Sequence, residues 1–110
     1  MADREKPSVL GDPEVEAALA EGDGPRWHLV GGKLVKTVDC AGFVGSLAFV
    51  GEVGRLAEEA NHHPDIDIRY NRVTLALVTH DAGGITRFDL ALARAIDGVT
   101  AGVRTSPGAA

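Results

Sequence analysis

A chain of 110 residues with 45% apolar residues, one cysteine and a formal net charge of -5 is sized for a single domain. A chain this long buries about 65% of its unfolded surface, enough for one two-layer core, while one cysteine excludes an internal disulfide or a cysteine-rich zinc module. The acidic balance argues against nucleic acid as the main ligand, because phosphate binding needs a basic footprint.

The N-terminus MADREKPSV has no apolar run of a secretory signal. No stretch approaches the ~20 apolar residues that span a bilayer. The expectation is a soluble, cytoplasmic protein with one domain over 12–104, between flexible tails at 1–11 and 105–110. A first helix is expected from Pro13 to about Glu21, with Asp12 as its N-cap and Pro13 at the first helical position. Gly22-Asp23-Gly24-Pro25 breaks it. Trp27–Val30 and Leu34–Val38 then flank Gly31-Gly32-Lys33 as a hairpin.

From about Ala41 to Ala60, Phe43, Leu47, Val50 and Gly54 recur at helical spacing, with Phe49, Val53, Leu56 and Ala57 beside them. The four glycines of this helix each weaken it by roughly 1 kcal/mol against alanine, so packing must hold it. Pro64 ends it at or before His63. A second hairpin alternates: Ile66, Ile68 and Tyr70 share a face, Asn71-Arg72 turns, and Val73, Leu75 and Leu77 continue that face. The last helix is expected over Arg87–Gly98. Thr86 caps it, Asp89 completes a capping box, and Phe88, Leu92 and Ile96 point inward beside Ala95 and Val99. The order α-β-β-α-β-β-α predicts an α+β fold, a four-stranded antiparallel sheet with helices packed on one face. The lightly charged strands Trp27–Val30 and Leu34–Val38 are expected as open edges that invite self-association.

Three of the four histidines fall in two short segments, Asn61-His62-His63-Pro64 and Thr79-His80-Asp81. With an Asn71-Arg72 turn, Pro64 opposes Thr79, and His62, His63 and His80 gather at one end of the sheet. Imidazole, with a reference pKa near ~6.5, gives or takes a proton at neutral pH. Structural readings stand beside this one. A histidine before proline at a helix end can cap it, and the capping box alone accounts for Asp89. Glu58 lies one turn before His62, where it orients that ring or stays solvated. His28 reads as surface and Cys40 as a buried spacer. Three histidines plus water would make an open zinc site, but adjacent His62 and His63 point apart in regular structure, so no metal is expected.

Glu58-x-x-x-His62-His63-Pro64, followed by Tyr70, His80 and Asp89, resembles the signature of the pterin-4a-carbinolamine dehydratases. Trp27, Gly32 before Leu34, Phe43, Phe49 and Gly83-Gly84-Ile85-Thr86 extend the similarity over Trp27 to Asp97. The resemblance implies the same α+β fold and a hydro-lyase. Its reaction converts a 4a-hydroxytetrahydropterin to the quinonoid dihydropterin plus water, in tetrahydrobiopterin recycling, without metal or organic cofactor. It implies His62, His63 and His80 as catalytic groups around the pterin, with Asn61, Val78, Thr79 and Asp81 as flanking substrate contacts and Glu58 and Asp89 in support. One neutral and one protonated imidazole on opposite sides of the C4a–N5 bond would remove the N5 proton and protonate the leaving hydroxyl. The sequence does not say which histidine does which. Asn61 stands where animal members carry Asp, Ile66 where an aromatic residue is usual, and Val38 and Cys40 where Phe is frequent. The resemblance also implies a homodimer or homotetramer and a pterin-dependent hydroxylase as possible partner. The alternative is a non-catalytic interaction module on the same fold, since animal members also bind a homeodomain transcription factor.

Overall fold

Residues 7–21 and 27–102 are described by a computed structural model. Its elements are α1 (Asp12–Leu19), β1 (His28–Val30), β2 (Lys33–Asp39), α2 (Gly42–Ala60), β3 (Asp65–Arg69), β4 (Arg72–Leu77) and α3 (Arg87–Gly102). The strands form one antiparallel sheet in the order β1-β2-β4-β3. Alternation decides which face is covered. Leu34 and Val38 of β2 and Val73, Leu75 and Leu77 of β4 join Phe49 and Val53 of α2, Leu92 and Ile96 of α3 and Val15 of α1 in one core. The expected fold is observed. The predicted break at Gly22–Pro25, the outer part of the predicted N-terminal tail and the whole predicted C-terminal tail lie outside the described residues. Nearer the domain, the Leu10 N–H donates to the Ile85 carbonyl at 2.8 Å. Among the described residues, no helix is long and apolar enough to cross a membrane.

Several boundaries differ from expectation. Gly11, not Asp12, is the N-cap of α1, and its N–H donates to Glu14 Oε1 at 3.0 Å. Asp12 instead joins the first turn, where its charge suits the helix dipole. The first hairpin loop is two residues, since Gly31 and Gly32 have φ of +57° and +80° and Val30 already pairs with Lys33. Positive φ at both central residues suits the strand twist and favours glycine. Helix α3 runs through Gly98 to Gly102. Its buried face is Asp89, Leu92, Ala93 and Ile96, with Phe88 half-buried and Ala95 exposed.

The second hairpin is shifted by two residues. Arg69 pairs with Arg72, Ile68 with Val73 and Ile66 with Leu75, so Tyr70-Asn71 is the turn. Two contacts from elsewhere hold it. Ser46 Oγ donates to the Tyr70 carbonyl at 2.6 Å, and the Cys40 N–H donates to the Asn71 carbonyl at 2.6 Å. Tyr70 thereby sits at a φ of +53°, which non-glycine residues seldom adopt. A slide of two keeps every residue on its face. It also sets Pro64, by extension of the register, level with Leu77 and His62 level with Thr79.

Helix α2 buries Ser46, Phe49, Val53 and Ala57. The predicted line through Phe43 and Leu47 lies roughly a quarter turn away, leaving these residues 49% and 48% exposed and Val44 77% exposed. β2 is interior, paired with β1 on one side and β4 on the other, so its expected role as an edge is wrong. The edges are three-residue β1 and β3, whose exposed Asp65, Asp67 and Arg69 guard it.

Interior β2 places Lys36 in the core. A buried ammonium needs a partner, and Nζ donates to Asp97 Oδ1 at 2.7 Å while lying 5.7 Å from the Trp27 ring centroid. The Trp27 indole donates to the same oxygen at 2.9 Å. Cys40 is a buried free thiol, as expected. Burial pushes its pKa up and Asp39 adds to that, while a hydrogen bond with Ser46 opposes it.

Candidate functional site

Helix α2 ends on Asn61, whose left-handed φ of 50° turns the chain so that the His62 N–H returns to the Ala57 carbonyl at 3.0 Å. This closure points His62 inward and leaves His63 outside. The His62 side chain is 11% exposed, and its Nε2 lies 2.6 Å from Asp89 Oδ1. Its ring centroid is 6.1 Å from that of Phe88, which in turn lies 4.8 Å beneath the Arg87 guanidinium.

Asp89 is wholly buried in the first turn of α3. Its Oδ2 accepts the Thr86 N–H at 2.8 Å, and the Thr86 hydroxyl accepts the Phe88 N–H at 3.2 Å. Half of the capping box read from the sequence is present: Asp89 accepts the Thr86 N–H, while the Thr86 hydroxyl takes the N–H of Phe88, the second helical residue, instead of that of Asp89, the third. It does not exhaust Asp89, because Oδ2 also accepts from Thr79 Oγ1 at 2.7 Å and Oδ1 faces His62. Thr79 and Thr86 are joined oxygen to oxygen at 2.7 Å. Among the described residues no buried side-chain nitrogen or oxygen lacks a hydrogen-bond partner.

His63 is 55% exposed, with Nε2 2.6 Å from Glu58 Oε2. Glu58 thus orients His63 rather than His62, because the left-handed residue between them swings the chain off the helical path. His80 is exposed in a tight turn closed by a Thr79–Gly84 bridge, with Gly83 at a φ of +81°. Hydrogen bonds join His62, Asp89 and Thr79 directly, and His63 and His80 each follow a member of that network in the chain. Of the other predicted contacts, Asn61 and Asp81 are exposed and Val78 is half-buried.

A groove of about 270 Å³ opens between α2 and α3, lined by Leu56, Glu59, Ala60, His62, Phe88, Ala91, Leu92 and Ala95. Of the predicted site residues only His62 borders it. Among the described residues, no group of three or more His, Cys, Asp and Glu side chains is arranged to hold a metal ion. Thr86, whose hydroxyl pairs with that of Thr79, and Phe88 escaped the sequence reading as parts of the site. A threonine ending β4 and another capping α3 were the available signal, without any indication that the two meet. Chemically, the arrangement offers one imidazole restrained by a buried carboxylate and two exposed imidazoles able to exchange protons with a bound molecule.

The family model "Pterin 4 alpha carbinolamine dehydratase" matches residues 8–99. A protein of Chloroflexus aurantiacus is 54% identical over 88 residues, 80% of this chain and 92% of its own length. One of Herpetosiphon aurantiacus is 47% identical over 93 residues, 84% of this chain and 95% of its own. Both bear the name pterin-4-alpha-carbinolamine dehydratase as a provisional one. Among solved structures, a transcriptional coactivator/pterin dehydratase from Brucella melitensis superposes with a TM-score of 0.77 at 28% identity, covering 84% of this chain and 99% of that one. A pterin dehydratase-like RuBisCO assembly factor of the alpha-carboxysome shares the fold, with a TM-score of 0.53 at 21% identity over 72% of this chain and 84% of its own. A single family model spanning α1 to α3, with relatives aligned over nearly their whole length, means that the chain belongs to the pterin-4-alpha-carbinolamine dehydratase family.

Proposed function

We propose that the protein is a hydro-lyase that dehydrates a 4a-hydroxytetrahydropterin to the quinonoid dihydropterin, serving tetrahydrobiopterin recycling in the cytoplasm. The observation that carries this reading is the contrast among the histidines: His62 is buried against Asp89, while His63 and His80 are open to a ligand. Loss of the 4a-hydroxyl needs a proton delivered to the leaving oxygen and another taken from N5, and imidazoles in different environments serve both. Asn61, Val78 and Asp81 would flank the pterin. The test is turnover of a synthetic 4a-hydroxytetrahydropterin, followed by its absorbance change against the spontaneous rate. No acceleration would refute the reading.

The proposed chemistry uses protein side chains alone. Turnover is therefore expected to survive exhaustive dialysis against a chelator, with well under one equivalent of zinc in the active protein. Activity that vanished on dialysis and returned with zinc would overturn this expectation.

A protein-interaction role is the second reading, and one observation favours it. Phe43, Val44 and Leu47 form an exposed apolar strip on α2, of the kind that marks association surfaces. The Brucella melitensis structure carries a coactivator name and the carboxysomal one an assembly-factor name. We assign the strip first to a second copy of the chain, giving a homodimer or homotetramer of closed symmetry; a pterin-dependent hydroxylase is the other partner to test. Leu47→Glu is expected to shift sedimentation equilibrium at micromolar concentration toward the monomer mass. Parent protein that is already monomeric would refute the self-association.

A further inference from the structure

We propose that Thr79 is a positioning residue, whose hydroxyl, itself held by Thr86, aligns the Asp89 carboxylate on His62 instead of touching substrate. This rests on the dehydratase reading. It also revises the expectation that the Thr79 side chain is a substrate contact.

The argument is one of proton accounting. Thr79 is buried, and its single hydroxyl proton goes to Asp89 Oδ2 at 2.7 Å. The 2.7 Å contact with Thr86 Oγ1 must then carry the Thr86 proton toward Thr79. The Thr86 oxygen accepts the Phe88 N–H, which leaves its proton free for that direction. Both threonine hydroxyls are thus committed inside the protein. Oδ2 of Asp89 receives two donors, Thr79 O–H and Thr86 N–H, and Oδ1 is left for His62 Nε2 at 2.6 Å. Two donors converging on one oxygen of a buried carboxylate match its ionised, acceptor-only form, which requires a donor at Oδ1 as well. His62 then keeps its proton on Nε2, and Nδ1 is the nitrogen left without one in the neutral ring.

Removing the Thr79 hydroxyl takes one of the three donors from the carboxylate. The negative charge is then less shared and holds the protonated form of His62 more strongly. The other charged or titratable groups around His62 are Glu59 on α2, which lines the same groove, Arg87 over Phe88 on α3, the neighbouring His63–Glu58 pair, and His80 and Asp81 beyond Thr79. None of them changes in the variant.

The experiment compares Thr79→Val, which keeps shape and loses the hydroxyl, with Thr79→Ser, which keeps the hydroxyl. Two readouts are taken: the pH profile of kcat/KM, and the titration of His62 followed by imidazole NMR. In Thr79→Val the acidic limb and the His62 titration are expected to move to higher pH by roughly half a unit or more, with KM nearly unchanged and Thr79→Ser close to the parent. A raised KM with an unmoved pH limb would overturn the proposal by making Thr79 a substrate contact. Loss of stability with an unmoved His62 titration would overturn it by making the role purely structural. Absence of turnover in the parent would refute the dehydratase reading alone, because the NMR titration reports on Thr79 without substrate.

Discussion

His63→Ala is expected to lower dehydratase turnover at least tenfold, within the ~10²–10⁴-fold range of general acid–base groups, with a thermal midpoint close to that of the parent. Among the described residues its side chain is hydrogen-bonded to exposed Glu58, and exposed pairs contribute about 0–1 kcal/mol. Little stability is therefore at stake. His62→Ala is expected to lower both activity and stability, because it opens a buried space against Phe88 and strips a donor from Asp89. The pair of variants separates chemistry from architecture. Turnover of His63→Ala equal to the parent, measured above the spontaneous dehydration rate, would remove His63 from the catalytic set. A large fall in its thermal midpoint would favour the capping role instead.

Asp89→Ala should produce the largest loss of stability among the site variants. The carboxylate accepts from Thr79, from the Thr86 backbone and from His62, all at or below 2.8 Å. A buried donor left without an acceptor costs about 1–3 kcal/mol. The Thr86 N–H is fixed by the backbone and has no second acceptor to turn to, whereas the Thr79 hydroxyl and His62 can rotate. The expected loss is about 2–4 kcal/mol, read by urea denaturation, together with a fall in turnover at least as large as that of His62→Ala. Unchanged stability would mean that water satisfies the three donors and that the network does not hold the end of β4 to α3.

Much of the architecture is legible in local sequence. Pro64 bars α2 from running past His63, the Thr86–Asp89 pair starts α3, and the alternation of Val73, Leu75 and Leu77 makes β4 a buried strand. These are short-range effects: proline sterics, a four-residue capping motif and the two-residue period of a strand. The histidine pattern likewise identified the family, because the spacing of His62, His63, Tyr70, His80 and Asp89 is visible without any coordinates.

What local sequence left undetermined depends on contacts distant along the chain. The β3–β4 turn falls at Tyr70-Asn71 because Ser46 and the Cys40 backbone bind it there, outweighing the mild preference for a conventional turn one residue later. The buried face of α2 was ambiguous because its apolar residues cover more of the helix than the sheet and α3 can bury. Lys36 is tolerated at a core position only because Asp97 and Trp27 arrive from distant segments to pair its charge. Asp89 reads locally as a cap, and only the strand order and register bring His62 and Thr79 to its other lone pairs. The sequence by itself determined the elements and the family, through backbone preferences and residue spacing. The tertiary structure decided which groups share protons, because a hydrogen bond is set within a few tenths of an ångström and no spacing rule reaches that far.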